Sequence, residues 1–100
     1  MVSFALLSSE DMAAELAARL KSRRLARKLT LEGLARRSGV PLGTLKKFER
    51  TGQIALVSFM RLVVALKDEA ALENLLLGRK FETLEEVLES GKKPKRGRIN

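Results

Sequence analysis

The side chains able to do chemistry in this chain are almost all cations. Arg19, Lys21, Arg23, Arg24, Arg27 and Lys28 crowd one short stretch. Arg36, Arg37, Lys46, Lys47 and Arg50 follow, and Lys92-Lys93-Pro94-Lys95-Arg96-Gly97-Arg98 lies in the last ten residues. Such groups hold phosphate: neutralising it releases counterions, which strengthens binding at low salt without choosing a base sequence. With 20 Lys/Arg against 12 Asp/Glu, the formal charge of +8 favours an anionic partner, either nucleic acid or an acidic protein or membrane surface. Other chemistry is scarce. No Cys is present, which excludes disulfides, thiolate nucleophiles and Cys-ligated zinc. No His is present, which removes the commonest general base and metal ligand. Trp and Tyr are absent and only 4 Phe remain, a poor stacking platform for single strands. These residues point to a binding protein and not an enzyme, with no catalytic residue, cofactor or metal expected.

The elements that must position these cations read as helices. One hundred residues with 45% hydrophobic content suit one domain with one modest core. Ser8 or Ser9 can cap a first helix, with Glu10 and Asp11 at its positive end and Met12, Leu16 and Leu20 at helical spacing as far as about Arg27. Thr30 is an N-cap for a second helix with Leu31, Leu34 and Ala35 inward, and Gly39 ends it. Pro41 suits the first turn of a third helix, with Leu45 and Phe48 inward, and Thr51-Gly52 breaks it. A fourth helix over residues 56–66 carries a stripe of Phe59, Leu62, Val63 and Leu66. Asp68-Glu69 opens a fifth with Leu72, Leu75 and Leu76, and Thr83 to Glu86 reads as the capping box of a short last helix. Residues 2–7 are the one place where a strand is conceivable. The expected class is all-α.

Charge falls in blocks. Residues 17–30 carry +6 and the last ten +5, whereas residues 51–90 carry −3 and are rich in Leu. The apolar runs 62–66 and 75–77 fall far short of the roughly 20 residues needed to cross a bilayer. Residues 1–7 lack a basic start and residues 8–11 turn acidic at once, unlike a signal peptide. A cytoplasmic protein, associated with the nucleoid and with no membrane partner, is expected.

The spacing over residues 31–50 has the grammar of a helix-turn-helix. Ala35 stands where two helices cross, Gly39 and Val40 form the turn, and Leu45 and Phe48 bury the second helix. From Leu20 to about Leu66 the sequence resembles the lambda/phage-repressor-like helix-turn-helix family, also called the XRE family. Leu29-Thr-Leu-Glu-Gly-Leu-Ala-Arg-Arg-Ser-Gly-Val40, followed by Leu45-x-x-Phe48-Glu49, carries the likeness over about half the chain. It implies a compact bundle of five to six helices. Residues 9–90 form the DNA-binding domain with C-terminal dimerisation helices, residues 1–8 an extension, and residues 91–100 a basic disordered tail.

Further implications of the resemblance concern individual residues. Arg24 pairs with Glu49 beneath a recognition helix spanning residues 41–50, which enters the major groove of double-stranded DNA. Lys47 donates to guanine O6 and N7, Leu42 touches a thymine methyl, and Gly43 lets the backbone come close. Thr44 and Lys46 face phosphates, and Thr30 and Arg50 complete the expected contacts. The sequence departs from the family at Leu31, where Gln is usual, and at Gly33, where an acidic or polar residue is frequent. Direct readout is therefore thin, and DNA shape carries more of the specificity. In the tail, Pro94 to Arg98 resembles the core of an AT-hook, with Arg96 and Arg98 in the minor groove, although Ile99 replaces the usual second Pro.

Members of the family generally bind near-palindromic operators as two-fold dimers. Leu72, Leu75 and Leu76, in the acidic region 68–89, are the candidate dimer surface, or else an ordinary core face with residues 2–7 as the next candidate. The expected role is a transcriptional repressor that blocks promoter access by occupying its operator. Small members with a basic tail also look like HipB-type antitoxins, which repress their own operon and neutralise a HipA-type kinase toxin by protein contact.

Overall fold

The computed structural model of the protein describes residues 3–78. The capping box at Thr83, the tail and its Arg96 and Arg98 lie outside the described residues. Four α-helices, α1 (Ser9–Ala26), α2 (Leu31–Ser38), α3 (Leu42–Thr51) and α4 (Leu56–Ala65), are flanked by the 3-10 turns Phe4–Leu6 and Glu69–Leu72. No strand occurs among the described residues.

Local chemistry accounts for each helix end. The Ser8 hydroxyl accepts from the Asp11 N–H at 3.0 Å, and Glu10 and Asp11 occupy the first turn of α1, where the helix dipole favours negative charge. Thr30 caps α2 in the same way, accepting from the Gly33 N–H at 2.9 Å. Gly39 ends α2 at φ 77°, a left-handed conformation that costs a glycine nothing. Pro41 is not in the first turn of α3 but just before it. Its ψ of 143° is extended, and its carbonyl takes the first helical N–H, from Leu45, at 3.0 Å. The third helix therefore starts and ends one residue later than expected.

Ala17 and Leu20 from α1, Leu34 from α2, Leu45 and Phe48 from α3, and Leu62 and Leu66 at α4 meet in one core, with Val40 of the α2–α3 turn. Phe59 is half-buried and packs edge-on against Phe48, with ring centroids 5.5 Å apart at 66°. Each fully buried Leu or Phe contributes about 1.5–3 kcal/mol. α3 lies against α1 on one side and α2 on the other, and α4 packs on α2.

The fifth helix expected from Asp68 is not formed. After α4 the chain turns at Lys67 (φ 62°), makes the single turn Glu69–Leu72, and passes Leu76 with a positive φ of 62°. Leu72 is half-buried, whereas Leu75 and Leu76 are exposed, so the three leucines do not share one face. A short helix is stabilised mainly by the apolar face it buries. Leu62 and Leu66 at α4 already belong to the core, and the leucines after it bury no common face among the described residues. Residues 4–6 are likewise a 3-10 turn and no strand. Phe4 lies under the Arg19 guanidinium, 4.7 Å from its ring centroid, which pins this turn to α1.

Gly52 has a second constraint. It ends α3 at φ 81°, and a Cβ there would stand 2.9 Å from the Ala13 carbonyl carbon, where α3 meets the backbone of α1. At Gly39 a Cβ would meet nothing within 4 Å. Gly39→Ala is expected to cost only the backbone term, about 1–2 kcal/mol. Gly52→Ala adds an overpacking term of about 1–3 kcal/mol. Urea unfolding followed by circular dichroism measures both, and equal losses would contradict the close approach of α3 to α1.

Candidate nucleic-acid interface

α3 turns Leu45 and Phe48 into the core and leaves the opposite side open. Gly43, Lys46, Lys47 and Arg50 are exposed and recur at i, i+3, i+4 and i+7, which places them in one row. Leu42 and Thr44 are half-buried and flank it. The Thr51 hydroxyl donates to the Lys47 carbonyl at 2.7 Å and accepts from the Gln53 N–H at 3.1 Å, which holds the end of the helix. Thr30 is exposed at the start of α2. Its oxygen already accepts the Gly33 N–H, and its O–H remains free to be donated to a phosphate.

The one acid on α3, Glu49, faces away from this row. Its carboxylate takes a two-pronged contact from Arg24, Nε to Oε2 at 2.8 Å and Nη2 to Oε1 at 3.0 Å. Arg24 is 6% exposed, and its remaining Nη1 donates to the Leu29 carbonyl at 2.8 Å. The outward row thus carries three cations and no opposing carboxylate from its own helix. Among the described residues, Lys46, Lys47 and Arg50 make no salt bridge.

The α1 cluster divides by role. Arg19 is held by Glu15 at 2.9 Å and by the Phe4 ring, and Arg24 is inside the scaffold. Arg23 grips Asp68 through Nε at 2.8 Å and Nη2 at 2.7 Å, tying α1 to the turn after α4. Lys21, Arg27 and Lys28 are exposed without a salt bridge among the described residues, as are Arg36 and Arg37 on α2. Three of the six cations in and just after α1 that were expected near phosphates are therefore occupied by intramolecular partners. The hydrogen bond from Arg23 holds the Asp68 carboxyl below the ordinary carboxylate range, more than partial burial raises it, and the charges of Arg23 and Arg27 act in the same lowering direction.

Sequence reasoning missed the outer side of α4, where Leu56, Val57 and Val64 are exposed. The signal was there: this helix is apolar on more than the stripe a core needs. Among the described residues no cluster of acids could hold a metal ion, and no helix is long and apolar enough to cross a membrane. No protein-family model matches the chain, and no curated protein matches it.

Two stability outcomes are expected from the ion pairs. Removing one partner of the buried pair, as in Glu49→Ala, leaves the Arg24 charge uncompensated and should cost about 3–5 kcal/mol. Arg24→Met combined with Glu49→Leu should cost clearly less than Glu49→Ala alone, a comparison that denaturant unfolding makes directly. Asp68, with its carboxyl lowered in the folded chain, stabilises above its unfolded value of about 3.9, and that contribution is lost as pH falls through the lower folded value. Asp68→Asn should therefore melt below the parent at pH 7 and converge with it in strong acid. A gap that persists at low pH would mean that the pair contributes through shape and not charge.

Proposed function

We propose that this chain is a site-specific double-stranded DNA-binding protein, a dimeric transcriptional repressor of the lambda-repressor-like kind, with α2 and α3 as its helix-turn-helix. The observation that carries the reading is the exposed row Gly43, Lys46, Lys47 and Arg50 on a helix whose other sides are fixed by core and ion pair. A ten-residue helix is about 15 Å long, and the major groove, about 12 Å wide, admits one. Lys47 donates to guanine O6 and N7 there, and Leu42 meets a thymine methyl. Lys46, Arg50, Thr44 and Thr30 hold phosphates, with Lys21, Arg27 and Lys28 on the flanks. In the tail, Arg96 and Arg98 reach an adjacent minor groove. With few hydrogen-bonding side chains on the row, the sequence-dependent shape of the duplex contributes to site choice. Occupying an operator then excludes polymerase from the promoter.

Gly43 makes the pose sensitive to a single methyl group. A Cβ there meets nothing within 4 Å in the free protein, so Gly43→Ala should leave the fold intact or stabilise it by up to about 1 kcal/mol. Weakened DNA binding by that variant reports a close approach made only in the complex.

Selection of duplexes from a random pool at near-physiological salt tests the function. An enriched near-palindrome is expected, and Lys47→Ala should lose about 1–3 kcal/mol of discrimination at one or two of its base pairs. An equal loss on the selected and a scrambled duplex would reduce Lys47 to a phosphate contact. Absence of any enriched sequence would overturn site-specific binding.

A further inference from the structure

The cleft between α2 and α4 combines an apolar floor with cations that are not paired. Val57, Met60 and Val64 follow one another at three- and four-residue spacing on the side of α4 turned away from the core, with Val57 62% and Val64 57% exposed. They line a cleft of about 290 Å³, with Arg37 of α2 on one wall and Arg61 of α4 on the other. Both arginines are exposed and make no salt bridge among the described residues. Ser38 is the remaining polar side chain of the lining. Its hydroxyl donates to the Ala35 carbonyl at 3.3 Å and accepts the Val40 N–H at 3.1 Å, so it is spent within its own turn. The polar side chains left open in the cleft are therefore two guanidinia, and among the described residues no carboxylate lines it.

Two other clefts lack this combination. The one beside Arg19 and Arg23 is larger, about 520 Å³, but Glu15 and Asp68 line it too and already hold those arginines. The one beside Leu16, Phe48 and Phe59, about 190 Å³, has no charged side chain in its lining. The α2–α4 cleft thus suits an occupant that is apolar along its length and anionic at its head. Its size narrows the choice. The row from Val57 to Val64 runs about 10 Å along the helix. At about 1.3 Å per carbon–carbon bond, that is the reach of an aliphatic chain of about eight carbons. Clefts that hold small molecules begin near about 300 Å³ and are lined mainly by apolar side chains with a few placed polar groups. A carboxylate matches the planar fork of a guanidinium in both shape and charge.

We infer that this cleft binds a medium-chain aliphatic carboxylate, with its chain along Val57, Met60 and Val64 and its head between Arg37 and Arg61. The chain leaves water for an apolar floor, and the head neutralises two cations that no carboxylate of the described residues pairs. Arg37 is one of the open cations of α2, so the bound ligand also lowers the positive charge on the exposed side of that helix. A small-molecule site here goes beyond the DNA-binding reading and does not depend on it.

Titration of the full chain with octanoate tests the site, without DNA and below the concentration at which octanoate aggregates, followed through the methyl signals by NMR. One saturable site is expected, with shifts at Val57, Met60 and Val64 and none of comparable size at the exposed Leu75, Leu76 and Leu77. Butanoate, which buries fewer methylenes, should bind about tenfold more weakly or worse. Octan-1-ol, with the same chain and no charge, should also bind about tenfold more weakly. Arg37→Gln and Arg61→Gln should keep the helical circular dichroism and each weaken octanoate several-fold while leaving octanol unchanged. Val57→Asp should abolish binding of both, and the arginine variants carry the test if that variant does not fold. Octanol binding as tight as octanoate overturns the proposal, as does octanoate binding indifferent to both arginine changes or shifts spread evenly over every exposed leucine and valine. Methyl shifts at Val57, Met60 and Val64 that follow protein concentration and not octanoate would make a second copy the occupant. Partition onto anionic phospholipid vesicles with no saturable octanoate site would make it a membrane surface. Either result overturns the proposal, and neither touches the outcome of duplex selection.

Discussion

One guanidinium sets the frame of this protein. Arg24 spends its Nε and Nη2 on both oxygens of Glu49 and its Nη1 on the Leu29 carbonyl, and so joins α1, the α1–α2 connection and α3 at a single buried point. Burying two charges is expensive, and a buried pair is seldom a net source of stability against an apolar replacement. Its effect here is register. A planar fork meets both carboxylate oxygens in only one orientation, and a slip of one residue would rotate α3 by about 100°. Such a rotation would carry Lys46, Lys47 and Arg50 off the outward face and bring Glu49 into their place. The cationic row depends on that one contact and on the Leu45 and Phe48 side chains that share its helix face.

The charges divide in a way that composition alone does not show. Arg19, Arg23 and Arg24 are each engaged by a carboxylate, and Arg19 also by a ring. These are tasks for a flat, multi-donor cation and would suit lysine poorly. The lysines at 21, 28, 46 and 47 remain solvated. Part of a net charge of +8 is therefore scaffold, and the part available to an anionic partner is concentrated on α3, the end of α1 and the exposed side of α2. The proposed DNA-binding role uses that remainder.

Much of the fold was legible in the sequence because its signals are local. Ser8 and Thr30 cap their helices through their own hydroxyls, and Gly39 and Gly52 supply the left-handed residues that end α2 and α3. The helical spacing of Leu31, Leu34 and Ala35 in α2, of Leu45 and Phe48 in α3, and of Phe59, Leu62, Val63 and Leu66 at α4 marks the faces they turn inward. The outward row on α3 was legible for the same reason, since fixing the buried side of a helix fixes the exposed side. The segment after α4 was misread. Leu72, Leu75 and Leu76 keep helical spacing, but spacing stabilises a helix only where its stripe is buried against another element, and Leu75 and Leu76 are exposed.

Residue types and periodicity thus determined the four helices, their caps, the inward and outward faces, and the absence of Cys and His chemistry. Tertiary structure decided which cations are occupied and which are open, because partners such as Asp68 for Arg23 stand 45 residues away along the chain. It also decided that Gly52 must be glycine for the sake of the α1 backbone, and that the leucine run from 75 to 77 remains on the surface. Each of these is a question of which groups meet in space. Local spacing cannot answer it, because the energy of burial or pairing belongs to two elements together and to neither alone.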